Sequence, residues 1–168
     1  HRDLHSFPTR RSSDLGSAKK NWPLDRFLDL ARRLADGGRA LLFVLGEADH
    51  AIRDAIRRAA TDLHAPVAEN LDLVDLAGVL SHCAAYIGND SGVTHIAAAL
   101  GFPVVTIFGP TEPSHWAPRG PNVCLLRAAD GTLEGVAVEE VLAALAGSSP
   151  PSQTPGPHDN RNRNGIPP

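Results

Sequence analysis

Residues 86–113, YIGNDSGVTHIAAALGFPVVTIFGPTEP, predict a β-α-β unit whose polar residues lie at both strand exits. The apolar run at residues 84–88 is typical of a buried strand, and Ser91 takes the N-cap position of a helix over residues 93–100. A glycine and a proline end that helix, and residues 104–108 form the second strand. In open parallel sheets, ligands lie outside the carboxyl ends of the strands, where helix N-termini present unpaired amides. The segment is therefore predicted to bind a nucleotide or a phosphate.

The same alternation of helix and strand extends over residues 16–146. The other predicted strands are residues 40–45, 66–68 and 123–126. Three of the other predicted helices begin after Pro23, after residue 51 and after Asp72, and the last covers residues 138–145. The first helix carries an apolar stripe of Leu24, Phe27, Leu28, Ala31, Leu34 and Ala35, opposed by a polar face of Asp25, Arg26, Asp29, Arg32 and Arg33. Asp72 is predicted to cap the third helix, which carries Leu73, Leu76, Ala77 and Leu80. Single helices between strands imply right-handed crossovers and a parallel sheet. The predicted fold class is α/β, a Rossmann-like parallel sheet with helices on both faces.

Composition excludes several classes of function. The chain has 168 residues, 42% of them hydrophobic, which is enough for one ordinary core. A net charge of −3 gives no electrostatic basis for binding nucleic acid or an anionic membrane surface. The two cysteines, Cys83 and Cys124, lie in apolar surroundings without metal-ligand spacing and are predicted to be buried thiols. A soluble cytoplasmic domain is expected.

Both ends of the chain are predicted to lie outside the folded domain. Residues 5–15, HSFPTRRSSDL, match one reading frame of a common short-read sequencing adapter, so residues 1–15 are interpreted as an artefact. Residues 147–168 are rich in Pro, Ser, Asn and Gly and are predicted to be a disordered tail. Residues 16–146 are then the expected folded domain.

The turn at residues 89–95 holds most of the candidate binding residues. Asp90 either caps the helix or accepts hydrogen bonds from sugar hydroxyls, while Gly92 allows a phosphate to approach the backbone. His95, in the first helical turn, is a candidate donor to a phosphate or sugar oxygen, although a lone histidine is more often structural. Ser91 is interpreted as a cap, because a nucleophile elbow would need glycines on both sides of it. No G-x-G-x-x-G follows a strand, which argues against a dinucleotide oxidoreductase.

Two further loops are expected at the same edge of the sheet. Residues 16–23 place Lys20 immediately before a helix, where an ammonium group and backbone amides together suit a phosphate. Residues 109–113 offer the Thr111 hydroxyl and amide in a rigid turn. A solvated surface lysine and a purely structural turn are the alternative interpretations.

Three motifs occur in one order: KNWP at residues 20–23, NDSGVTH at residues 89–95 and FGPTEP at residues 108–113. In that order they resemble the donor-binding half of glycosyltransferase family 9, the lipopolysaccharide heptosyltransferase group. The resemblance implies a GT-B fold, in which two Rossmann-like domains face a cleft and the C-terminal domain holds the nucleotide-sugar. Residues 16–146 would be that nucleotide-sugar binding domain, with its first strand replaced by the adapter sequence.

The resemblance also implies a role for each candidate residue. The implied donor-binding residues are Lys20, Asp90, Ser91, Gly92, His95 and Thr111. The lysine would contact the diphosphate, the Ser-Gly turn would cradle phosphate, and the aspartate would face the sugar. The histidine would support the phosphate or the sugar, and the threonine would border the pocket. Transfer would invert the anomeric centre and need neither metal nor cofactor, since the lysine and the helix dipole neutralise the leaving diphosphate.

This sequence departs from the family pattern in two ways. Family members often carry a ribose-binding glutamate shortly after the position of Gly46, where this chain has His50, with Glu47 and Asp49 nearby. These three residues are the candidates for nucleoside binding. The family's catalytic base lies in an N-terminal acceptor domain, so no catalytic residue is expected in this chain. Weak nucleotide binding without sugar transfer is the expected behaviour.

The implied partners are an ADP-heptose-like donor and, through the acceptor domain, a glycan or lipid A-core acceptor. The full enzyme would associate peripherally with the inner face of the cytoplasmic membrane. Two alternatives remain: a stand-alone nucleotide-binding module, and a piece of a GT-B nucleotide-sugar epimerase. The KNWP motif argues against the epimerase.

Overall fold

The computed structural model describes residues 21–109 and 112–147, in which helices and strands alternate along the chain. The helices are α1 (Leu24–Asp36), α2 (Arg53–Asp62), α3 (Leu73–Leu80), α4 (Gly92–Ala99), α5 (Pro113–Trp116) and α6 (Val138–Gly147). The strands are β1 (Phe43–Leu45), β2 (Val67–Glu69), β3 (Tyr86–Asn89), β4 (Val104–Phe108) and β5 (Val123–Arg127). Every element predicted within these ranges is present, with bounds shifted by a few residues; α5 was not predicted.

All strand pairs are parallel, but the described strands form two sheets. One has the order β1-β2 and the other the order β3-β4-β5. The sequence predicted one parallel sheet, and the described strands lie in these two. In a doubly wound sheet, the strand that leads into the first helix lies between the two halves. Residues 1–20 lie outside the described part, which leaves that central position without a described strand.

Strand β4 is the centre of the core, and helices cover both of its faces. All five of its residues are buried. Val105 and Ile107 pack into a cluster with Trp22 and residues of α1 and α6, while Val104 packs into a second cluster with residues of α3 and α4. Alternate side chains of a strand point to opposite faces, which places the two clusters on opposite sides of the sheet. Helices on both faces were predicted.

The start of α1 is anchored by Trp22, which is 1% exposed. Its indole Nε1 donates to the carbonyl oxygen of Val136 at 3.0 Å, and its ring makes an edge-to-face contact with Phe27. The guanidinium of Arg26 donates to the same carbonyl. The sequence had placed Arg26 on the polar face of the helix, opposite the apolar stripe. The predicted apolar stripe also omitted Leu30, which is 3% exposed. Both differences arise because α6 packs beside α1 and widens the face that α1 buries.

Helix α3 begins at a side-chain cap, as predicted. The carboxylate of Asp72 accepts from two amides of the first turn. Leu76 and Leu80 are buried, whereas Leu73 is 70% exposed. Leu73 is the first residue of the helix and lies one turn before the residues that reach the core.

The cysteines agree in part with their prediction. Within the described ranges, Cys83 and Cys124 both carry free thiols, and both are half-buried rather than fully buried. Burial raises the pKa of the Cys83 thiol. No helix among the described residues has the length and the apolar character needed to cross a bilayer.

Candidate functional site

The loop that follows β3 lies beside the loop that leads into α1. The sequence predicted that these two loops would meet at one edge of the sheet. The backbone N–H of Trp22 donates to Asn89 Oδ1 at 3.0 Å. The same amide side chain reaches back to Asn21, with Asn89 Nδ2 and Asn21 Oδ1 3.4 Å apart. Asn89 therefore joins two loops that are 67 residues apart in sequence. The sequence assigned Asn89 only to a turn, because nothing local indicates which distant amide its side chain binds.

Helix α4 starts at Ser91, but the serine hydroxyl does not cap it. Ser91 has the extended backbone of an N-cap residue, and within the described residues its side chain makes no cap hydrogen bond. Its Oγ lies instead 3.1 Å from the Thr94 Oγ1, which also donates to the carbonyl of Asn89. Gly92 is exposed, and no atom of a described residue outside its own local backbone lies within 4 Å of a Cβ built there. Among the described residues, the space beside Gly92 in the first turn of α4 is therefore open.

Asp90 and His95 lie together beside this terminus. His95 Nε2 and Asp90 Oδ1 are 4.0 Å apart, and the side chains are 48% and 20% exposed. A carboxylate accepts hydrogen bonds from hydroxyl groups, and an imidazole donates to phosphate or sugar oxygens. The structure therefore brings together four of the predicted site residues, Asp90, Ser91, Gly92 and His95, and combines an acceptor, a donor and a helix N-terminus.

Tyr86 lies beneath the turn and was not predicted as part of the site. Burial raises the pKa of the Tyr86 phenol. Hydrogen bonding to the Thr94 and Ser91 hydroxyls lowers this pKa, and the negative charge of Asp49 raises it. A Cβ at Gly88 would lie 2.5 Å from the Tyr86 hydroxyl oxygen. The sequence signal was available: Tyr86 is the only tyrosine of the chain, and it precedes a glycine by two residues on the same face of the strand.

The exit of β1 carries the three candidates for nucleoside binding. Asp49 Oδ2 accepts from the backbone N–H of Gly46 at 2.8 Å, so this carboxylate closes its own turn. Glu47 and His50 are exposed.

The remaining predicted site residues, Lys20 and Thr111, lie outside the described residues. Gly109 directly follows β4 and lies in close contact with Leu133, since a Cβ at Gly109 would lie 2.8 Å from the leucine Cγ. Glu112 accepts from the amide of Ser114 and lies 3.7 Å from the Arg127 guanidinium. In the part of the chain that the structure describes, no group of three His, Cys, Asp or Glu side chains is arranged to hold a metal ion.

Known proteins resemble this chain in sequence and in fold. The model of glycosyltransferase family 9 (heptosyltransferase) matches residues 11–156. Lipooligosaccharide heptosyltransferase 2 of Haemophilus influenzae is 30% identical over 125 residues, covering 72% of this chain and 36% of the relative. The corresponding protein of Haemophilus ducreyi is 33% identical over 127 residues, with the same coverage.

Solved structures extend the comparison to the fold. Escherichia coli heptosyltransferase WaaC with ADP matches with a TM-score of 0.70 and 25% identity, over 79% of this chain and 41% of that one. WaaC with ADP-2-deoxy-2-fluoro heptose gives a TM-score of 0.67 and 26% identity, over 78% and 40% of the two chains.

This chain spans little more than a third of the length of the curated relatives. Its parallel strands, with helices on both faces, correspond to one Rossmann-like half of the GT-B heptosyltransferases. The family model covers most of the chain, and the β3–α4 turn carries the motif residues that indicated the family. The chain therefore belongs to glycosyltransferase family 9, the heptosyltransferase family.

Proposed function

We propose that this chain is the donor-binding half of an inverting, heptosyltransferase-like glycosyltransferase and that it binds a nucleotide-diphosphate sugar, most closely ADP-heptose. The observation that carries the proposal is the open N-terminus of α4, flanked by Asp90 and His95 and left uncapped by the Ser91 side chain among the described residues. Two solved structures of WaaC, a similar protein, are titled as complexes with ADP and with an ADP-heptose analogue.

Each site residue has a distinct role in this proposal. The amides of Ser91 and Gly92 bind phosphate, Asp90 accepts from sugar hydroxyls, and His95 donates to the phosphate or the sugar. Lys20 contacts the diphosphate and Thr111 borders the pocket. Glu47, Asp49 and His50 lie toward the nucleoside.

The leaving diphosphate is stabilised without a metal ion. Negative charge develops on the diphosphate as the sugar departs, and Lys20 with the positive end of the α4 dipole neutralises it. The base that activates the acceptor belongs to a separate acceptor domain. That domain binds a glycan or lipid A-core acceptor at the inner face of the cytoplasmic membrane. The isolated chain is therefore expected to bind donor nucleotide without transferring sugar.

Calorimetry of the chain with ADP, UDP and GDP tests the proposal. ADP is expected to bind in preference to the other two, and Asp90→Ala is expected to weaken binding of ADP-heptose about tenfold, because a hydrogen bond to a charged group is lost. Lys20→Ala is expected to weaken binding of both ADP and ADP-heptose.

Matched controls separate these effects from a general loss of charge. Asp54→Ala removes an exposed carboxylate from the first turn of α2, and Lys19→Ala removes the neighbouring lysine. Both control variants are expected to bind like the unmodified chain. Equal affinity for all three nucleotides would favour a general nucleotide-binding module, and no binding would contradict the donor-site proposal.

A further inference from the structure

The backbone of Asn89 is held from two sides at the end of β3. Asn89 is the last residue of the strand and pairs with Ile107 of β4, all of whose residues are buried. Its carbonyl accepts from the hydroxyl of Thr94, a residue of α4 that is completely buried. The side chain of Asn89 therefore extends from a backbone that the sheet and the next helix both fix.

This side chain contacts the loop that leads into α1 at two points. Asn89 Oδ1 accepts from the backbone N–H of Trp22 at 3.0 Å, and Asn89 Nδ2 lies 3.4 Å from Asn21 Oδ1. A carboxamide suits this position because it offers an acceptor and a donor at the same time. Trp22 precedes Pro23, the N-cap residue of α1, so the N–H of Trp22 lies outside the hydrogen bonds of the helix.

The core holds the other side of the same loop. The indole of Trp22 is buried, makes an edge-to-face contact with Phe27 and donates to the carbonyl of Val136. The side chain of Trp22 thus attaches the loop to the core, and Asn89 attaches its backbone to the exit of β3. Removing the Asn89 side chain breaks the second attachment and leaves the first, so α1 keeps its packing while the loop is released from the turn.

A second asparagine joins two loops at the opposite edge of the sheet. Asn122 Nδ2 donates to the carbonyl of Gly101 at 2.7 Å, just before β5 and β4 begin. These strands are parallel, so this edge lies away from the strand exits that carry the candidate site. The two segments joined by Asn89, in contrast, each contain a predicted site residue beside the contact in sequence, Lys20 in one and Asp90 in the other.

We propose that Asn89 is a positioning residue of the donor site: its side chain holds the loop that enters α1 against the turn between β3 and α4, so that the motifs at residues 20–23 and 89–95 bind one diphosphate together. The inference rests on the proposed function, which assigns both motifs to the donor diphosphate. It gives a role to the first residue of the second motif, which the family resemblance left without one.

The test is a double-mutant cycle on ADP affinity, measured by calorimetry, with Asn89→Ala, Lys20→Ala and the double variant. Asn89→Ala alone is expected to weaken ADP binding about threefold to tenfold, because the loop is no longer held beside the turn. In the Lys20→Ala background the same change is expected to weaken binding less than about twofold, because the loop has already lost its contribution. Equal weakening in the two backgrounds would overturn the proposal.

Asn122→Ala is the matched control, since it also removes an asparagine side chain that joins two loops, at the edge of the sheet away from the site. It is expected to leave ADP affinity unchanged. If it weakens ADP binding as much as Asn89→Ala does, the effect is a general loss of packing and the proposal is overturned.

Amide hydrogen exchange, followed by nuclear magnetic resonance without ligand, tests the attachment separately from binding. Relative to the amides of β4, the Trp22 amide is expected to exchange about tenfold faster in Asn89→Ala, whereas Asn89→Asp keeps an acceptor and the slow exchange. If the unmodified chain binds no ADP, the proposed function fails, and faster exchange in Asn89→Ala would still support the attachment of the loop. Unchanged exchange in Asn89→Ala, or equally fast exchange in both variants, would overturn it.

Discussion

The residues at the exit of β3 divide into those that face the open side of the turn and those that hold it from below. Asp90, Gly92 and His95 are on the open side, and the sequence motif indicated all three. Thr94 supports the turn from beneath, where its hydroxyl donates to the carbonyl of Asn89. Supporting residues are harder to predict because their role depends on side-chain geometry rather than on residue type.

Tyr86 should ionise at higher pH in the folded chain than in the unfolded chain. Its folded-state pKa lies above the ordinary value of 10.0 because burial disfavours the phenolate. The corresponding stability is fully present below the unfolded-state pKa and is lost as the pH rises through the folded-state pKa. Tyrosinate absorbance measured with and without denaturant checks this, since the chain has one tyrosine.

Two variants serve as comparisons for the titration of Tyr86. Tyr86→Phe supplies the baseline without a tyrosinate signal. Thr94→Val is expected to raise the pKa of Tyr86 further, because the threonine hydrogen bond lowers it. Coincident titration curves for the folded and the denatured chain would contradict the buried phenol.

At the scale of elements, α3 and α4 each begin at a residue type that favours the N-cap position, but only in α3 does the side chain of that residue cap the helix. Asp72 caps α3 with its side chain, whereas Ser91 starts α4 and its hydroxyl bonds to Thr94 instead. Both residues were predicted as N-caps, and both are at the N-cap position. The difference matters because a capped terminus satisfies its own amides and an uncapped one can bind an anion.

Asp72→Ala should destabilise the fold by about 1 kcal/mol, the usual cost of losing an N-cap side chain. The carboxylate accepts from the amides of Val74 and Asp75, both at 2.9 Å, and alanine leaves them to solvent. The free energy of unfolding in urea measures the loss. Asp72→Asn keeps an acceptor at the same position and should retain most of the stability; equal losses in the two variants would contradict the capping role.

At the scale of the whole molecule, Trp22 connects the site to the core. Its backbone amide binds Asn89 at the β3 exit, and its indole binds the Val136 carbonyl near α6. It belongs to the larger of the two core clusters, on the face of β4 that carries Val105 and Ile107. A change at Trp22 therefore affects helix packing and the shape of the site together.

Trp22→Phe should lower the free energy of unfolding by roughly 1–3 kcal/mol, through a lost indole hydrogen bond and a partly filled cavity. The Arg26 guanidinium still donates to the Val136 carbonyl, which limits the loss. Urea denaturation followed by circular dichroism measures it without relying on tryptophan fluorescence. Trp116→Phe, at a residue 60% exposed, is the matched control and should change the free energy by less than about 0.5 kcal/mol. Similar effects of the two variants would contradict the anchoring role of Trp22.

The sequence by itself determined the order of elements, the parallel α/β class and the open side of the candidate site. Periodicity, caps and the motif at residues 89–95 are properties of contiguous residues, so they can be read without knowing which elements meet. Only the tertiary structure decided that Asn89 joins the entry to α1, that Arg26 turns inward, and that the described strands form two sheets. It also decided that the Ser91 hydroxyl lies against the Thr94 hydroxyl and, among the described residues, does not cap α4. These outcomes depend on which side chains come within hydrogen-bonding distance once the helices pack, and no local pattern encodes that distance.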